Sequence, residues 1–292
     1  MIGRSEGTGR MLLLLPAAFL LGVVVLVPVL RVIVLSLSRV DLATGATTFV
    51  GLDAYGRLWT DARWWSSFGN TLVFTASSVA AEMILGVAFA LVLHRSFRGR
   101  GIVRAIVVLP WALPTAVMAL AWGWIFNDAF GVANDLLQRL RLIGTPVAWL
   151  GTPATAMAAL VVADVWKTTP FVTLVVLAGL QSVPAEVLEA ARLDGLSAAQ
   201  RLRRVVLPLL VPTLLVALAF RVVQAYGAFD LIYVLTGGGP GGSTETVSLY
   251  AFQNVFRYLD FGYGGAVATQ AALLLGLAAA AVAAIGARGR RS

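Results

Sequence analysis

The sequence predicts an all-α polytopic membrane protein with six transmembrane helices and both termini in the cytoplasm. Of its 292 residues, 59% are hydrophobic and only 12% are charged, and the mean hydropathy is +0.88. Water-soluble domains carry about 25% charged residues, so this composition indicates a chain that lies largely within a bilayer. Six apolar runs are long enough to cross it, because a transmembrane helix needs about 20 mainly apolar residues.

The predicted spans follow one another along the whole chain. They cover residues 11–37, 69–93, 101–126, 152–180, 205–235 and 262–286. The first run follows Arg10 as in a signal peptide, but it is too long and lacks a small-residue cleavage site, so we expect a retained span. The predicted domains are a cytoplasmic segment at 1–10, a transmembrane domain at 11–286 and a basic cytoplasmic tail at 287–292.

The lysine and arginine residues set the predicted orientation. One set of loops and termini holds 13 of the 22 basic residues against four acidic ones, whereas the other set holds six basic residues against seven acidic ones. Cytoplasmic loops carry an excess of Lys and Arg, so the first set is predicted to be cytoplasmic. The net charge of +8 reflects this asymmetry. Because the charges are scattered over short loops, they do not indicate binding to nucleic acid.

The predicted cytoplasmic loop at residues 182–204 contains a short polar helix between two apolar spans. Its core is Leu-Glu-Ala-Ala-Arg-Leu-Asp-Gly, from Leu188 to Gly195. Pro184 is tolerated in a first helical turn, Glu186 complements the positive helix end, and Gly195 suits a left-handed C-terminal cap. Such a helix of about ten residues is about 15 Å long. On its residues alone it is either a plain connector or a docking surface for a soluble protein.

Two alanines and their neighbours favour docking. Ala190 and Ala191 leave one side of the helix without bulk, which suits insertion into a cleft. The segment resembles the EAA signature of binding-protein-dependent ABC importer permeases, which here comprises Glu189, Ala190, Ala191, Asp194 and Gly195, followed by Leu207-Pro208. The resemblance implies a cytoplasmic coupling helix that sits in a groove of the ATPase subunit, with the first five of these residues forming the coupling site.

Ionisable residues inside the spans are a second informative feature. Three bases and three acids fall inside the predicted spans or near their ends, namely Arg31, Lys167, Arg221, Glu82, Asp164 and Asp230. Such residues are costly in contact with lipid, so they normally face a bundle interior, a partner or water. Their equal numbers suggest pairing, but the sequence does not say which residues pair. Arg31 and Asp230 lie close enough to span ends to snorkel.

Two polar stripes lie on predicted helical faces. Asp164 and Lys167 are three residues apart and therefore share a face. Thr168 and Thr169 either offset the backbone hydrogen bond that Pro170 removes or offer hydroxyls to a ligand. A kinked helix with an internal ion pair and a polar surface for a hydroxyl-rich solute are both consistent with this stripe. The second stripe, at helical spacing on the long fifth span, comprises Arg221, Gln224, Ala225 and Ala228, after which Tyr226-Gly227 predicts local bending.

The second half of the chain carries a further resemblance. The segments 229–240, 243–246 and 260–264 resemble the MalF-type branch of carbohydrate ABC permeases. The resemblance implies a MetI/MalF-like permease fold and a carbohydrate substrate, such as trehalose, maltose or a glycosylated osmolyte. It also implies a substrate-binding set, by gapless counting from Glu189, of Asp164, Lys167, Thr168, Phe171, Arg221, Gln224, Ala225 and Ala228. The side chains differ from those of the maltose-transporting relative at nearly all of these positions, so the location is carried over and the sugar is not.

The resemblance implies an assembly rather than a lone protein. A second permease of the MalG type, two copies of an ABC ATPase and an extracytoplasmic sugar-binding protein would join this chain at the bacterial cytoplasmic membrane. ATP and magnesium would bind to the ATPase, so we expect no catalytic residue, cofactor or metal in this chain. The glycine-rich stretch at 237–244 lacks the lysine of a phosphate loop, and the chain has no cysteine for thiol chemistry.

Two rival functions fit parts of the sequence. A stand-alone secondary transporter could relay protons through Glu82, Asp164 and Lys167. An intramembrane lipid enzyme would need a clustered acid–base or metal set, and the sequence shows none. Neither rival accounts for the polar helix at 188–195. Trp111, between two prolines, is either an interfacial residue like most of the other tryptophans or part of a solute pathway.

Overall fold

The computed structural model describes residues 15–288, with side chains described through residue 280. Within this range, twelve helices are numbered α1 to α12 in chain order. They are α1 Leu15–Ser36, α2 Asp53–Thr60, α3 Ala62–His94, α4 Arg100–Ala112, α5 Thr115–Ile125, α6 Val132–Arg139, α7 Pro153–Gln181, α8 Ala185–Leu193, α9 Ala198–Tyr226, α10 Asp230–Leu235, α11 Val247–Phe252 and α12 Phe261–Arg288. The predicted segment 1–10 and residues 289–292 of the predicted basic tail lie outside the described residues.

The all-α polytopic prediction is confirmed. Five helices of the described chain, α1, α3, α7, α9 and α12, are each long and apolar enough to cross a membrane, and α4 with α5 supplies a sixth span if that bent pair counts as one. Two predicted spans differ in shape. The span predicted at 101–126 is broken and bends by 98° between α4 and α5. The span predicted at 205–235 is not one continuous helix. Its first helix, α9, stops at Tyr226, where bending was predicted, and α10 follows as a separate short helix.

One element is absent from the sequence prediction, a short β-hairpin after α1. Strands β1, Ser38–Val40, and β2, Thr47–Phe49, pair antiparallel with Ser38 opposite Phe49. The turn between them is held by Asp41, whose Oδ1 accepts the Ala43 amide at 2.9 Å. Hydropathy does not detect such an element, because three-residue strands outside the apolar runs carry little periodic signal.

The described chain divides into two compact units, residues 15–64 with 250–273 and residues 65–249 with 274–288. In the first unit, a carboxylate joins three segments. The hydroxyls of Tyr250 and Tyr263 both donate to Asp61 Oδ2, and Arg57 Nη1 lies 3.2 Å from Asp260 Oδ2. Partial burial raises the pKa of Asp61, but hydrogen bonds from Tyr250, Tyr263 and the backbone amides of Arg63 and Trp64 together outweigh it and hold the pKa below its ordinary value. The Asp61 carboxyl therefore stays ionised at neutral pH.

The second unit has its core where α3, α7 and α9 pack together. That core is built from small and branched residues, namely Ala90, Leu93, Val172, Val176, Leu177, Leu180, Leu210 and Ala217. Glycines allow the helices to approach closely. A Cβ on Gly86 of α3 would lie 2.5 Å from Val172 Cγ1, and one on Gly179 of α7 would lie 2.8 Å from Thr213 Oγ1. In a lipid bilayer the hydrophobic effect does not drive helices together. Small residues stabilise helix pairs there because they allow close van der Waals packing.

Two substitutions in α3 are expected to change stability in opposite directions. Gly86→Ala should destabilise the protein by about 1–3 kcal/mol, because the fully buried Val172 leaves no room for another methyl group. Gly69→Ala should be neutral or stabilising by up to about 1 kcal/mol, because that position has open space and alanine favours the helix. Thermal unfolding of the two purified variants checks this pair. Equal unfolding temperatures would show that α3 and α7 can move apart at no cost.

Candidate functional site

A cavity of about 310 Å³ collects most of the predicted substrate-binding residues. Its wall is formed by Trp111, Thr115, Asp164, Lys167, Thr168, Arg221, Gln224, Gly227, Ala228, Phe229, Asp230 and Leu231. Six of the eight predicted residues are in this wall; three are on α7, two are on α9, and Ala228 is in the stretch that follows α9. Whether they bind a substrate is still a prediction, but the structure does bring them together.

Helix α7 supplies one wall because its polar residues recur at helical spacing. It begins at Pro153 after Thr152, whose hydroxyl accepts the Thr155 amide at 3.4 Å. A side-chain cap followed by proline is a favourable start for a helix. Asp164 and Lys167, further along the helix, then lie on the side of the cavity.

Helix α9 supplies the facing wall and ends there. Arg221 and Gln224 are three residues apart, which keeps them on one face of the helix. The helix ends at Tyr226, and the non-helical stretch before Asp230, which includes Ala228, also lines the cavity. The break therefore places backbone as well as side chains in the wall.

A buried ionic cluster joins two residues of the cavity wall, Asp164 and Arg221, to Glu82. The guanidinium of Arg221 is 2% exposed and donates to both carboxylate oxygens of Glu82, which is fully buried; its Nη2 is 2.8 Å from Glu82 Oε1. The same Nη2 lies 3.2 Å from Asp164 Oδ2. Bidentate pairing of this kind is the strongest form of carboxylate–arginine contact. Glu82 is part of the cluster although the predicted substrate set omits it, because nothing local links position 82 to 221.

The threonine hydroxyls are occupied within the protein. Thr168 Oγ1 lies 2.7 Å from Glu82 Oε1 and 2.6 Å from the Asp164 carbonyl, and Thr169 Oγ1 donates to the Val165 carbonyl at 2.6 Å. Both hydroxyls therefore bond within the protein, but to the carbonyls of Asp164 and Val165 and not to that of Trp166, which Pro170 deprives of its amide donor. Threonine hydroxyls commonly satisfy the carbonyl four residues back in transmembrane helices.

Lys167 ties α7 to the break between α4 and α5. Its ammonium donates to the carbonyl of Leu113 at 2.6 Å. Leu113 ends α4, and Pro114, which lacks an amide hydrogen, begins the next segment. The break leaves carbonyls without helical partners inside the membrane, where each needs another donor. Lys167 supplies that donor, and it also remains in the cavity wall.

Two predicted residues lie outside the cavity wall, and one unassigned aromatic residue lies in it. Ala225 is buried, with 2% exposure, and Phe171 packs between the rings of Trp111 and Phe220 at centroid distances of 6.2 and 6.0 Å. Trp111 itself is 46% exposed and belongs to the wall. Phe171 is thus placed to support Trp111 rather than to line the cavity.

Helix α8 adopts the geometry predicted for the polar helix. It covers nine residues from Ala185 to Leu193, with Glu186 in its first turn. Gly195 has a φ of +75°, and its amide and that of Leu196 donate to the carbonyls of Arg192 and Ala191 at 3.0 and 3.2 Å. This is the Schellman arrangement, so the predicted left-handed cap is confirmed.

The two alanines of α8 do not share one bare face. Ala191 is buried against the chain itself, with 5% exposure, whereas Ala190 is exposed together with Glu189 and Asp194. Neighbouring residues on a helix point about 100° apart, which accounts for the difference. A partner that docks on this helix would therefore meet Ala190, whereas Ala191 packs against the rest of the chain.

Comparisons with known proteins give the family. A family profile described as "Binding-protein-dependent transport system inner membrane component" matches residues 82–291. The trehalose/maltose transport system permease protein MalF of Thermococcus litoralis is 45% identical over 256 residues, covering 88% of this chain and 86% of that protein. The sulfoquinovosyl glycerol transport system permease protein SmoG of Agrobacterium fabrum is 38% identical over 258 residues, with 88% and 83% covered.

The fold is also that of a solved structure. A chain of a bacterial ABC transporter involved in the import of the acidic polysaccharide alginate superposes with a TM-score of 0.83, covering 97% of this chain and 96% of that one at 21% identity. The family profile spans well over half of this sequence, and the named relatives match it over most of their length. The chain belongs to the family of binding-protein-dependent transport system inner membrane components.

Proposed function

We propose that this chain is a permease subunit of an ATP-driven importer for a neutral carbohydrate, such as trehalose or maltose, in a bacterial cytoplasmic membrane. It forms half of the solute path beside a second permease. Two ATPase subunits dock on α8 and its counterpart in that partner, and an extracytoplasmic binding protein delivers the sugar. The chain performs no covalent chemistry of its own.

The observation that carries the proposal is the composition of the cavity between α7 and α9. Its wall places the half-exposed indole of Trp111 beside the polar groups of Lys167, Gln224 and Asp230. An aromatic face covers the C–H surface of a sugar ring, while nearby donors and acceptors satisfy its hydroxyls. Arg221 fixes the orientation of Gln224, because Arg221 Nη1 donates to Gln224 Oε1 at 2.7 Å. The amide NH2 of Gln224 can then donate to a sugar hydroxyl.

The formal charges of the cavity favour a neutral sugar over an anionic one. Two acids and two bases are in the wall, Asp164 and Asp230 against Lys167 and Arg221, and Glu82 lies directly behind Arg221. The site therefore offers no net positive charge to an anion, and an added carboxylate or sulfonate would lose hydration while facing the wall carboxylates Asp164 and Asp230. The 45% identity to a permease named for trehalose and maltose agrees with this choice.

Uptake by the reconstituted importer tests the proposal. With the partner permease, the ATPase and the loaded binding protein in vesicles, we expect ATP-dependent uptake of trehalose or maltose. Trp111→Ala should lower the uptake rate at saturating binding protein by about tenfold, the equivalent of about 1.4 kcal/mol of lost contact, whereas Trp111→Phe should retain most of it. Arg139→Gln, at an exposed ion pair outside the cavity, should have no effect.

Two results would contradict the proposal. Uptake that continues without ATP and collapses with the proton gradient would identify a secondary transporter. Uptake that prefers sulfonated or carboxylated sugars to neutral disaccharides would show that the charge balance of the cavity does not select the substrate.

A further inference from the structure

A second cavity, of about 240 Å³, lies where α3 and α7 end, beside α8 and the first turns of α9. It is separate from the solute cavity in its residues and in its chemistry. Its wall is formed by Leu91, His94, Arg95, Leu180, Val183, Leu188, Arg192, Ala198, Arg201, Leu202 and Val206. We call it the basic cavity.

One side of the basic cavity is cationic. Arg95, Arg192 and Arg201 are in its wall together with His94, and no carboxylate is among the described residues that line it. Arg201 Nη1 donates to the Leu196 carbonyl at 2.7 Å, which fixes that guanidinium in place. Arg95 and Arg192 are exposed and form no ion pair within the described part of the chain. Three guanidinium groups around one space attract an anion, and the two exposed ones are available to bind it.

The other side of the basic cavity is apolar. It is formed by Leu91, Leu180, Val183, Leu188, Leu202 and Val206. Leu180 is almost fully buried, with 5% exposure, so this surface is continuous with the packed ends of the spans. The cavity is thus amphipathic, with cations at its rim and hydrocarbon at its floor.

We propose that the basic cavity binds an anionic phospholipid of the cytoplasmic leaflet. The phosphate contacts the guanidinium groups of Arg95 and Arg192, and the glycerol and first methylenes cover the floor beside Leu180. Basic pockets between transmembrane helices on the cytoplasmic side bind phospholipid head groups of this kind. The position of α8 and Arg192 in the wall means that the lipid contacts the helix to which we assign the ATPase docking role.

The depth of the cavity also favours a lipid. Helix α7 has 29 residues and is therefore about 44 Å long, close to the thickness of about 40–45 Å of a bilayer with its head groups. The end of α7, where the cavity lies, reaches the head-group layer. A free phosphate ion would use the arginines but would gain nothing from the apolar floor.

Lipid binding by the purified importer tests this proposal. We would measure retained lipid by native mass spectrometry, and thermal unfolding in nanodiscs of phosphatidylglycerol or of phosphatidylcholine. Wild-type protein should retain phosphatidylglycerol and unfold at a higher temperature with it. Arg95→Gln with Arg192→Gln should weaken retention by more than about tenfold, because each arginine near an anionic lipid contributes on the order of a fivefold change in affinity. The lysine pair, R95K with R192K, should retain most of the binding.

The matched control removes the same charge from the same predicted cytoplasmic surface. Arg98→Gln with Arg203→Gln alters two exposed arginines outside the cavity wall and should leave specific retention unchanged. Equal losses in both pairs would overturn the proposal in favour of a diffuse attraction to anionic membranes. A stabilisation that inorganic phosphate reproduces in detergent would likewise overturn it in favour of a free-anion site. Unfolding in phosphatidylcholine confirms that each variant is folded, and none of these readouts depends on the identity of the sugar.

Discussion

Replacing Arg221 with methionine is expected to destabilise the protein by about 3–5 kcal/mol. The change leaves Glu82 fully buried without its cation and leaves Asp164 beside it. Two carboxylates in a low-dielectric interior must then take up protons or draw in water, and both processes oppose folding. Thermal unfolding of the purified importer should show a fall in Tm on the order of 10 °C.

A second substitution distinguishes an ion pair from simple loss of packing. Arg221→Met combined with Glu82→Gln removes both charges of the bidentate pair, and the new amide can still bond to the Thr168 hydroxyl that lies 2.7 Å from Glu82 Oε1. Neutral replacement of both partners in a buried pair often costs little, so the double variant should recover at least half of the lost stability. A double variant as unstable as Arg221→Met alone would rule out this account of the cluster.

An exposed pair provides the control. Arg139 and Asp135 lie one helical turn apart in α6 at 2.9 Å, with side chains 76% and 60% exposed. Water and salt screen such a pair, so Arg139→Met should cost no more than about 0.5 kcal/mol. The contrast between the two arginines follows from burial alone, since both make short contacts with carboxylates.

Sequence reasoning succeeded where the governing physics is local. The apolar runs identify the membrane helices, because each span must satisfy its own backbone and bury its own length in lipid. The Schellman cap at Gly195 follows from the need for a residue that tolerates positive φ, and the structure has φ +75° there. Spacing alone placed Asp164 and Lys167 of α7, and Arg221 and Gln224 of α9, on faces that the structure brings to one cavity, whereas Ala228 lies beyond the end of α9.

It failed where the determining contact joins distant positions. The span predicted at 101–126 looks continuous, since apolar residues run through it. The structure breaks it at Leu113, whose freed carbonyl is bonded by Lys167, 54 positions away. Similarly, the partner of Arg221 is Glu82, 139 positions earlier. Equal numbers of acids and bases predicted that pairing occurs, but only packing of α3 against α7 and α9 decides which residues pair.

The same distinction explains the cavity wall. Trp111 belongs to it because α4 packs against α7, where Phe171 lies against the Trp111 ring at a centroid distance of 6.2 Å. Its position between two prolines was the one local signal. Phe171 and Ala225 share the helical faces of the lining residues, but Phe171 packs between Trp111 and Phe220 and Ala225 is buried. Helical periodicity alone does not predict these contacts.

Substituting tryptophan for Ala190 should uncouple the proposed importer while leaving the permease folded. Ala190 is exposed on α8, so a larger side chain there meets no atom of this chain at its surface. If the helix inserts into a groove of the ATPase, the indole prevents close approach, and the force of ATP-driven closure no longer reaches the solute path. We expect uptake and solute-stimulated ATP hydrolysis to fall by at least about tenfold, with a change in Tm within about 2 °C.

The adjacent position gives the opposite result for a physical reason. Ala191 is 5% exposed and packs against the permease, so Ala191→Trp overfills the interface beneath α8 and should lower stability by about 1–3 kcal/mol or more. Measuring Tm, basal ATP hydrolysis and stimulated hydrolysis for both variants separates docking from folding. Full coupling in Ala190→Trp would show that the exposed face of α8 carries no partner, and the force would then have to enter through another part of the chain.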